Sequence, residues 1–427
     1  MDTPYLIFCD KKGTVYSHPY LRMAVSSWGK FVVPELDTLM RLPRGNTVFT
    51  LPGRRPVGFN PAIRRFETVE KFQGREVFAA ASFLMPALLR VYTPAYVIKK
   101  KIKLPFWAYN ACGFYQGIFY TTAVRVDRRI RQSPVFYDNK IIEKKVNYFL
   151  SRYPSNRLYQ HLAHCALNYN CLAAKNLFMQ RWEAPLPTAR FCNARCLGCL
   201  SMRDSDCLSS HQRIDFSPRP EEIAQVAINH LDAARDPLVS FGQGCEGEPL
   251  LEAENIAAAI TLIRDKTGRG TINMNTNASI PGNVDILCRA GIDSFRVSLN
   301  SPTEKFYKLY FKPRGYKFRD CLRSIAVAKK YNKFVSVNLF IFPGFSDRSG
   351  EISALIKFIK ENGIDMLQCR NLNLDPQLYL DTFPGSKAAP RGIVYLLKAV
   401  SAALPKLKIG YFNLPKEEFT RFENVIK

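Results

Sequence analysis

From about residue 186 onward, short apolar runs alternate with longer stretches of helical period, and no other feature of the chain narrows its fold so far. Such alternation marks a parallel sheet covered by helices, because parallel neighbours need a long crossover that returns over the sheet. The pattern predicts helices from Pro220 to about Ala234, from about Leu251 to Lys266, near Val284 to Arg289, and from Glu351 to Glu361. Strands are predicted at Pro237–Phe241, Thr271–Asn275, Ser294–Leu299, Phe334–Phe342 and Met366–Cys369, for about six β/α units. Ser301-Pro302-Thr303-Glu304 carries a hydroxyl cap, a proline and a carboxylate three residues on, the start signals of a further helix.

Within this region Cys192-Asn193-Ala194-Arg195-Cys196-Leu197-Gly198-Cys199 follows Pro187-Thr188-Ala189-Arg190-Phe191. Three thiols at these spacings, in a loop between strand and helix, converge on one inorganic centre. A structural zinc needs four ligands, and Cys207 supplies a candidate fourth. Without a fourth protein ligand, the same thiols leave one iron of a 4Fe-4S cluster open to a small molecule.

The spacing CX3CX2C after a first strand resembles the signature of the radical S-adenosylmethionine (SAM) superfamily. Ser240 to Leu251 contains Glu246-Gly247-Glu248-Pro249, which is similar to that family's Gly-Gly-Glu-Pro turn, with Glu246 in place of the first glycine. Asn275-Thr276-Asn277 is similar to its Thr-Asn-Gly, and Val297-Ser298-Leu299-Asn300 to its Val-Ser-Leu-Asp. Asn338 and Phe342 to Asp347 fall where the family's fifth strand meets the cofactor. The resemblance implies a partial (β/α)6 barrel of radical SAM type over 186–380, with active-site groups at the C-terminal strand ends. It further implies a 4Fe-4S cluster on Cys192, Cys196 and Cys199, SAM beside Gly247, Glu248, Pro249, Asn277, Ser298 and Asn300, and a low-potential electron donor such as a ferredoxin or flavodoxin. No residue is assigned a catalytic role. Gly198 departs from the bulky residue often found before the third cysteine, so adenine needs another cover.

The remainder is read as a mainly β N-terminal domain over 1–153, a helical connector over 154–185 and a C-terminal extension over 381–427. Residues 1–190 hold 29 basic and 11 acidic side chains, most of the chain's net charge of +25, and so suggest an anionic partner. RNA is one such partner, given Phe106, Trp107, Tyr109, Tyr115, Phe119 and Tyr120 among the basic clusters at Ile98–Lys103 and Arg125–Arg131. A peptide or small metabolite is the competing substrate class, with the N-terminal part as a lid, and a non-catalytic iron–sulfur redox or scaffold protein is a further reading. The uncharged stretch Leu104–Val124 is long enough to span a bilayer, but its Gly, Asn and Thr residues suit aromatic-rich strands better, and no membrane span is expected. Without a secretory leader, the 12 cysteines imply a reducing, cytoplasmic setting. His161, His164 and Cys165, with Cys171 soon after, form a candidate second metal site, and separately Cys207, near Asp206 and His211, could extend the cysteine-loop site. Cys245 reads as packing in the SAM-facing turn, and Cys9, Cys112, Cys288, Cys321 and Cys369 as small buried hydrophobes.

Overall fold

The computed structural model describes residues 2–201 and 209–420. Its centre is a seven-stranded sheet built in chain order from Arg181–Pro185, Arg235–Phe241, Thr271–Thr276, Ser294–Leu299, Phe334–Ile341, Met366–Asn371 and Lys408–Gly410. Every neighbouring pair is parallel, and the first and last strands do not pair, so the sheet is an open, partial barrel. Between strands lie the helices Pro220–Ala233, Ala253–Lys266, Pro281–Ala290, Glu304–Phe311, Phe318–Lys330, Ser349–Glu361, Pro376–Thr382 and Ile393–Ala403.

Six units were expected and seven strands are present. The additional one, Lys408–Gly410, comes from the segment read as an extension. Three residues containing one branched apolar side chain give no period to read. The Ser301 start signal is also used differently. The helix begins at Glu304 with Thr303 as its cap residue, while the hydroxyls of Ser301 and Thr303 donate to Glu351 at 2.6 and 3.0 Å. A break around Pro313 and Gly315 then separates this helix from Phe318–Lys330.

The N-terminal strands are antiparallel and form sheets of eleven, three and two strands. Cys112–Tyr115 and Ile118–Arg125 make a hairpin whose turn residues Gln116 and Gly117 both have positive φ (47° and 79°), as a two-residue turn with matching twist requires. This hairpin occupies the uncharged stretch, and among the described residues no helix is long and apolar enough to cross a membrane. The last strand of these sheets ends at Arg125. Asn139–Arg152 is a helix, capped by the Asp138 carboxylate accepting from the Lys140 and Ile141 N–H groups.

The two halves of the chain interlock. Arg54 is bidentate to Asp375 (3.1 and 2.9 Å), and both are buried. The Arg90 guanidinium donates to the carbonyls of Tyr109 and Leu372, while Asn371 exchanges hydrogen bonds with the backbone of Leu88 and Arg90. Asp127 accepts from the N–H groups of Tyr411 and Phe412, and Arg129 pairs with Glu418. Inside the barrel the floor is polar and mutually satisfied. Glu183 accepts from Ser240 and Asn413, Asn273 joins Ser240 to Ser294, and Gln368 bonds Asn413.

His230 supplies an acid-sensitive contact under the first strand. Its Nε2–H donates to the Trp182 carbonyl at 2.8 Å, and burial pushes its pKa from 6.5 down to about 4. Below pH 6.5 the unfolded chain takes up a proton that the fold refuses, so stability present above 6.5 is expected to fall by about 3 kcal/mol as pH drops to 4. Urea unfolding of wild type and His230→Gln across that window checks this. The variant's curve should be flatter by that amount, and parallel curves would remove His230 as the cause.

Candidate active site

The cysteine loop is clamped from two sides by backbone. The N–H groups of Arg195 and Leu197 donate to the carbonyls of Phe311 and Tyr310 (2.9 and 2.8 Å), at the C-terminal end of one helix. From the other side, the N–H groups of Gly247 and Glu248 donate to the Ala189 and Phe191 carbonyls (2.6 and 2.8 Å). Burial first, and Glu248 second, push the Cys192 thiol up to about 12, and burial together with the other two cysteines raises Cys196 well above the ordinary thiol value. Such thiols ionise only against a cationic centre. Among the described residues, the one group of three His, Cys, Asp or Glu ligand atoms lying within 4.8 Å of one another is His161, Cys165 and Cys245, so the three loop sulfurs are spread more widely. A single tetrahedral zinc would draw thiolates to about 3.8 Å of each other. Cys207 lies outside the described residues.

Gly247 has no room for a side chain, because a Cβ there would sit 1.9 Å from the Phe191 carbonyl oxygen. Gly242 combines a φ of +77° with a Cβ position 1.7 Å from the Asn275 carbonyl. Between them, Glu246 replaces the family's glycine with a buried hub. Its Oε2 accepts from the Thr188 and Ala189 N–H groups and the Thr188 hydroxyl, and its Oε1 from the Gly242 and Gln243 N–H groups. Burial raises its pKa against the pull of those donors. The carboxylate thereby ties the end of the first strand to the end of the second.

Glu248 makes the next tie outward. It accepts from the Thr276 hydroxyl and the N–H groups of Asn277 and Leu250, and burial pushes its carboxyl up to about 7. Asn277 in turn donates through Nδ2 to Asn193 of the cysteine loop at 2.7 Å, and Asn193 donates to Ser279. The third strand therefore steadies the residue next to Cys192.

These groups surround one cavity of about 540 Å³. Cys192, Cys196, Cys199, Gly247, Glu248, Asn277, Ser298 and Asn338 all line it. Pro249 and Asn300 do not: Pro249 is buried at the start of a short helical turn, and the Asn300 side chain donates to the Phe306 carbonyl. The space beside Gly198 is already filled, since a Cβ there would meet Leu374 at 3.0 Å and the Tyr310 hydroxyl at 3.1 Å.

Residues missed in the sequence occupy the deeper end. Arg296 shares a face with Ser298 two residues on, and so sits roughly 6–7 Å further from the cysteine loop. Arg370 enters from the sixth strand, stacked at 3.7 Å over Tyr411. Among the described residues neither guanidinium has a carboxylate partner, and burial with the nearby Arg370 lowers Arg296 to about 9. The available signal was a lone arginine between Phe295 and Val297 in a strand otherwise fit for the core. Phe106 and Gln132 bring the N-terminal half into the same lining.

The other aromatics noted for base stacking pack within the sheets. Tyr115 stacks on Tyr5, Phe119 meets Phe114 edge to face, and the exposed Trp107 lies tilted against Phe83, while Tyr109 is buried with its hydroxyl on the Pro105 carbonyl. Part of the second basic cluster is likewise engaged internally, Arg129 with Glu418 and Arg131 with the Asn413 carbonyl. Of the second candidate metal group, His161 and Cys165 come together, whereas His164 is exposed and packs on Tyr169.

Residues 186–359 match the family model described as Radical SAM superfamily. No curated protein matches the chain. Solved structures similar to it include Streptococcus suis SuiB bound to S-adenosylmethionine (16% identity over 68% of this chain and 65% of that one, TM-score 0.39). HydG, the FeFe-hydrogenase maturase from Carboxydothermus hydrogenoformans, is 14% identical over 62% of this chain and 67% of its own, with a TM-score of 0.36. Methylornithine synthase PylB is 14% identical over 63% of this chain and 77% of its own, at 0.37. The chain thus spans just under two thirds of SuiB. Residues 186–359 thus match the radical SAM superfamily, whose members use a 4Fe-4S cluster and SAM.

Proposed function

We propose that this chain is a radical SAM enzyme acting on a small organic anion, with the cluster on Cys192, Cys196 and Cys199. The observation that carries the reading is the placement of those three thiols, the Gly247 turn and two arginines, which among the described residues have no carboxylate partner, around one cavity. The donor set fits the cluster, being three thiols spread beyond the reach of one ion, and Gly247 and Gly242 let the turn pack directly on the Phe191 and Asn275 carbonyls at the cavity wall. Held by Cys192, Cys196 and Cys199, a 4Fe-4S cluster would supply the electron, taken from a low-potential donor such as a ferredoxin or flavodoxin, for reductive cleavage of SAM and hydrogen abstraction from substrate.

The protein's own share is placement. Glu246 and Glu248 fix the turn beside the cluster, Asn277 holds the loop through Asn193, and Leu374 and Tyr310 fill the space left by Gly198. Ser298 and Asn338 present polar atoms on the cavity side, and the buried Asn338 Oδ1 has no partner in the fold. Arg296 and Arg370 lie beyond them, where a carboxylate or phosphate would replace the missing acidic partner.

Anaerobic formation of 5′-deoxyadenosine by the reconstituted, reduced protein tests the proposal. Wild type should produce it, and the variant with Cys192, Cys196 and Cys199 all replaced by Ala should retain no cluster iron and produce none. A protein that binds four irons yet yields no 5′-deoxyadenosine would instead be a redox or scaffold protein. Stimulation by cellular RNA that nuclease abolishes would overturn the small-anion substrate.

A further inference from the structure

A second set of metal-ligating side chains stands beside the cluster loop. His161 and Cys165 are one turn apart on the helix Arg157–Leu167, with Nε2 and Sγ separated by 3.6 Å. Cys245 reaches the same point from the turn after the second strand, more than seventy residues on, and all three ligand atoms lie within 4.8 Å of one another. Cys165 and Cys245 are buried, at 1% and 4% exposure, while His161 is half-buried.

Packing alone accounts poorly for this set. Cysteines that merely fill a core meet apolar neighbours, as Cys369 does, whose pKa is raised by burial and nothing else. Cys165 instead meets a thiol and an imidazole directly, with His211 bearing on it electrostatically, and its pKa falls to about 5 as that of Cys245 rises well above the ordinary value. The pair shares a proton that a soft cation would displace. Three further elements converge here. The Cys171 N–H donates to the Cys165 carbonyl at 3.0 Å, the Ile214 N–H donates to the Cys245 carbonyl at 2.8 Å, and the His211 ring packs at 5.5 Å on Tyr169. Cys165, Cys245, Cys171 and His211 all border the main cavity.

We propose that His161 Nε2, Cys165 Sγ and Cys245 Sγ bind one zinc ion, with its fourth position facing the cavity. Two thiolates and an imidazole within tetrahedral reach match zinc's preferred donors, and they are far too close together for the footprint of a second cubane. Because Cys245 immediately precedes Glu246, the ion would fasten the helical connector to the turn that carries Gly247 and Glu248. The inference is independent of the cluster reading, since it uses none of its ligands.

The test is metal analysis of the reconstituted full chain. Wild type should hold one zinc beyond its irons. Cys165→Ala and Cys245→Ala should each lower zinc at least tenfold while iron stays, and the triple Cys192, Cys196, Cys199 to Ala variant should lose iron and keep zinc. His161→Gln, at a half-buried site, guards against misfolding. It should weaken zinc affinity about tenfold or more with an unchanged circular dichroism spectrum. Cobalt added to the iron-free triple variant should give a thiolate charge-transfer band that disappears when Cys165 and Cys245 are both removed. Zinc content indifferent to these residues, absence of both zinc and the cobalt band, or extra iron that depends on Cys165 and Cys245 would each overturn the proposal.

Discussion

Glu246→Ala is expected to destabilise the protein by about 3–5 kcal/mol and to reduce cluster iron to a small fraction of wild type. The carboxylate accepts from four backbone N–H groups and one hydroxyl, all at the junction of the first two parallel strands. Alanine leaves those donors in a site that is 4% exposed, and each buried donor without a partner costs about 1–3 kcal/mol unless water reaches it. Iron should follow because Gly247 and Glu248, the next residues, hold the loop through Ala189 and Phe191. Glu246→Gln keeps one acceptor oxygen and should fall between the two. Chemical unfolding and iron analysis read both effects. A loss under about 1 kcal/mol with full iron would show that the turn stands without its hub.

Arg54→Met should cost about 3–5 kcal/mol as well, by a different route. Removing the cation strands the Asp375 charge, 7% exposed, with only the Leu104 and Gln377 N–H groups as donors. The paired change Arg54→Met with Asp375→Leu should be less damaging than Arg54→Met alone, since no buried charge remains. Asp375 follows Leu374, which fills the space beside Gly198, so the single variant should also slow 5′-deoxyadenosine formation more than its stability loss explains. If the double replacement proves no milder than the single one, the effect is lost packing, not a stranded charge.

Much of the barrel was legible because strand and helix periods are local properties. The fourth strand, Ser294–Leu299, falls where the pattern places it, since its branched and aromatic residues are bounded by Gly291 and Ser301. The cysteine loop was legible for the same reason, as spacing within eight residues is written in the chain. What the sequence hid depends on distant partners. Nothing near Glu246 reveals that Thr188 and Ala189 come to meet its carboxylate, and Ser301 looks like a cap until Glu351 arrives from fifty residues away. Likewise, the charge count of the N-terminal half does not reveal that Arg54, Arg90, Arg129 and Arg131 are engaged within the fold by Asp375, backbone carbonyls and Glu418.

The ties from Asp127 to Tyr411 and Phe412, and from Arg90 to Leu372, join residues more than 280 positions apart. Contacts of such separation close very long loops, and they form late because the ordering cost precedes the gain. During synthesis the N-terminal sheet emerges before the cysteine loop, and Asn413, which bonds Glu183 and Gln368 across the barrel floor, follows that loop by more than 200 residues. A nascent chain therefore carries the thiols of Cys192, Cys196 and Cys199 through more than 200 further residues of elongation before that floor can close. Shelter for an oxygen-sensitive centre is thus a late acquisition, completed only when the seventh strand and Asn413 have joined a sheet begun long before.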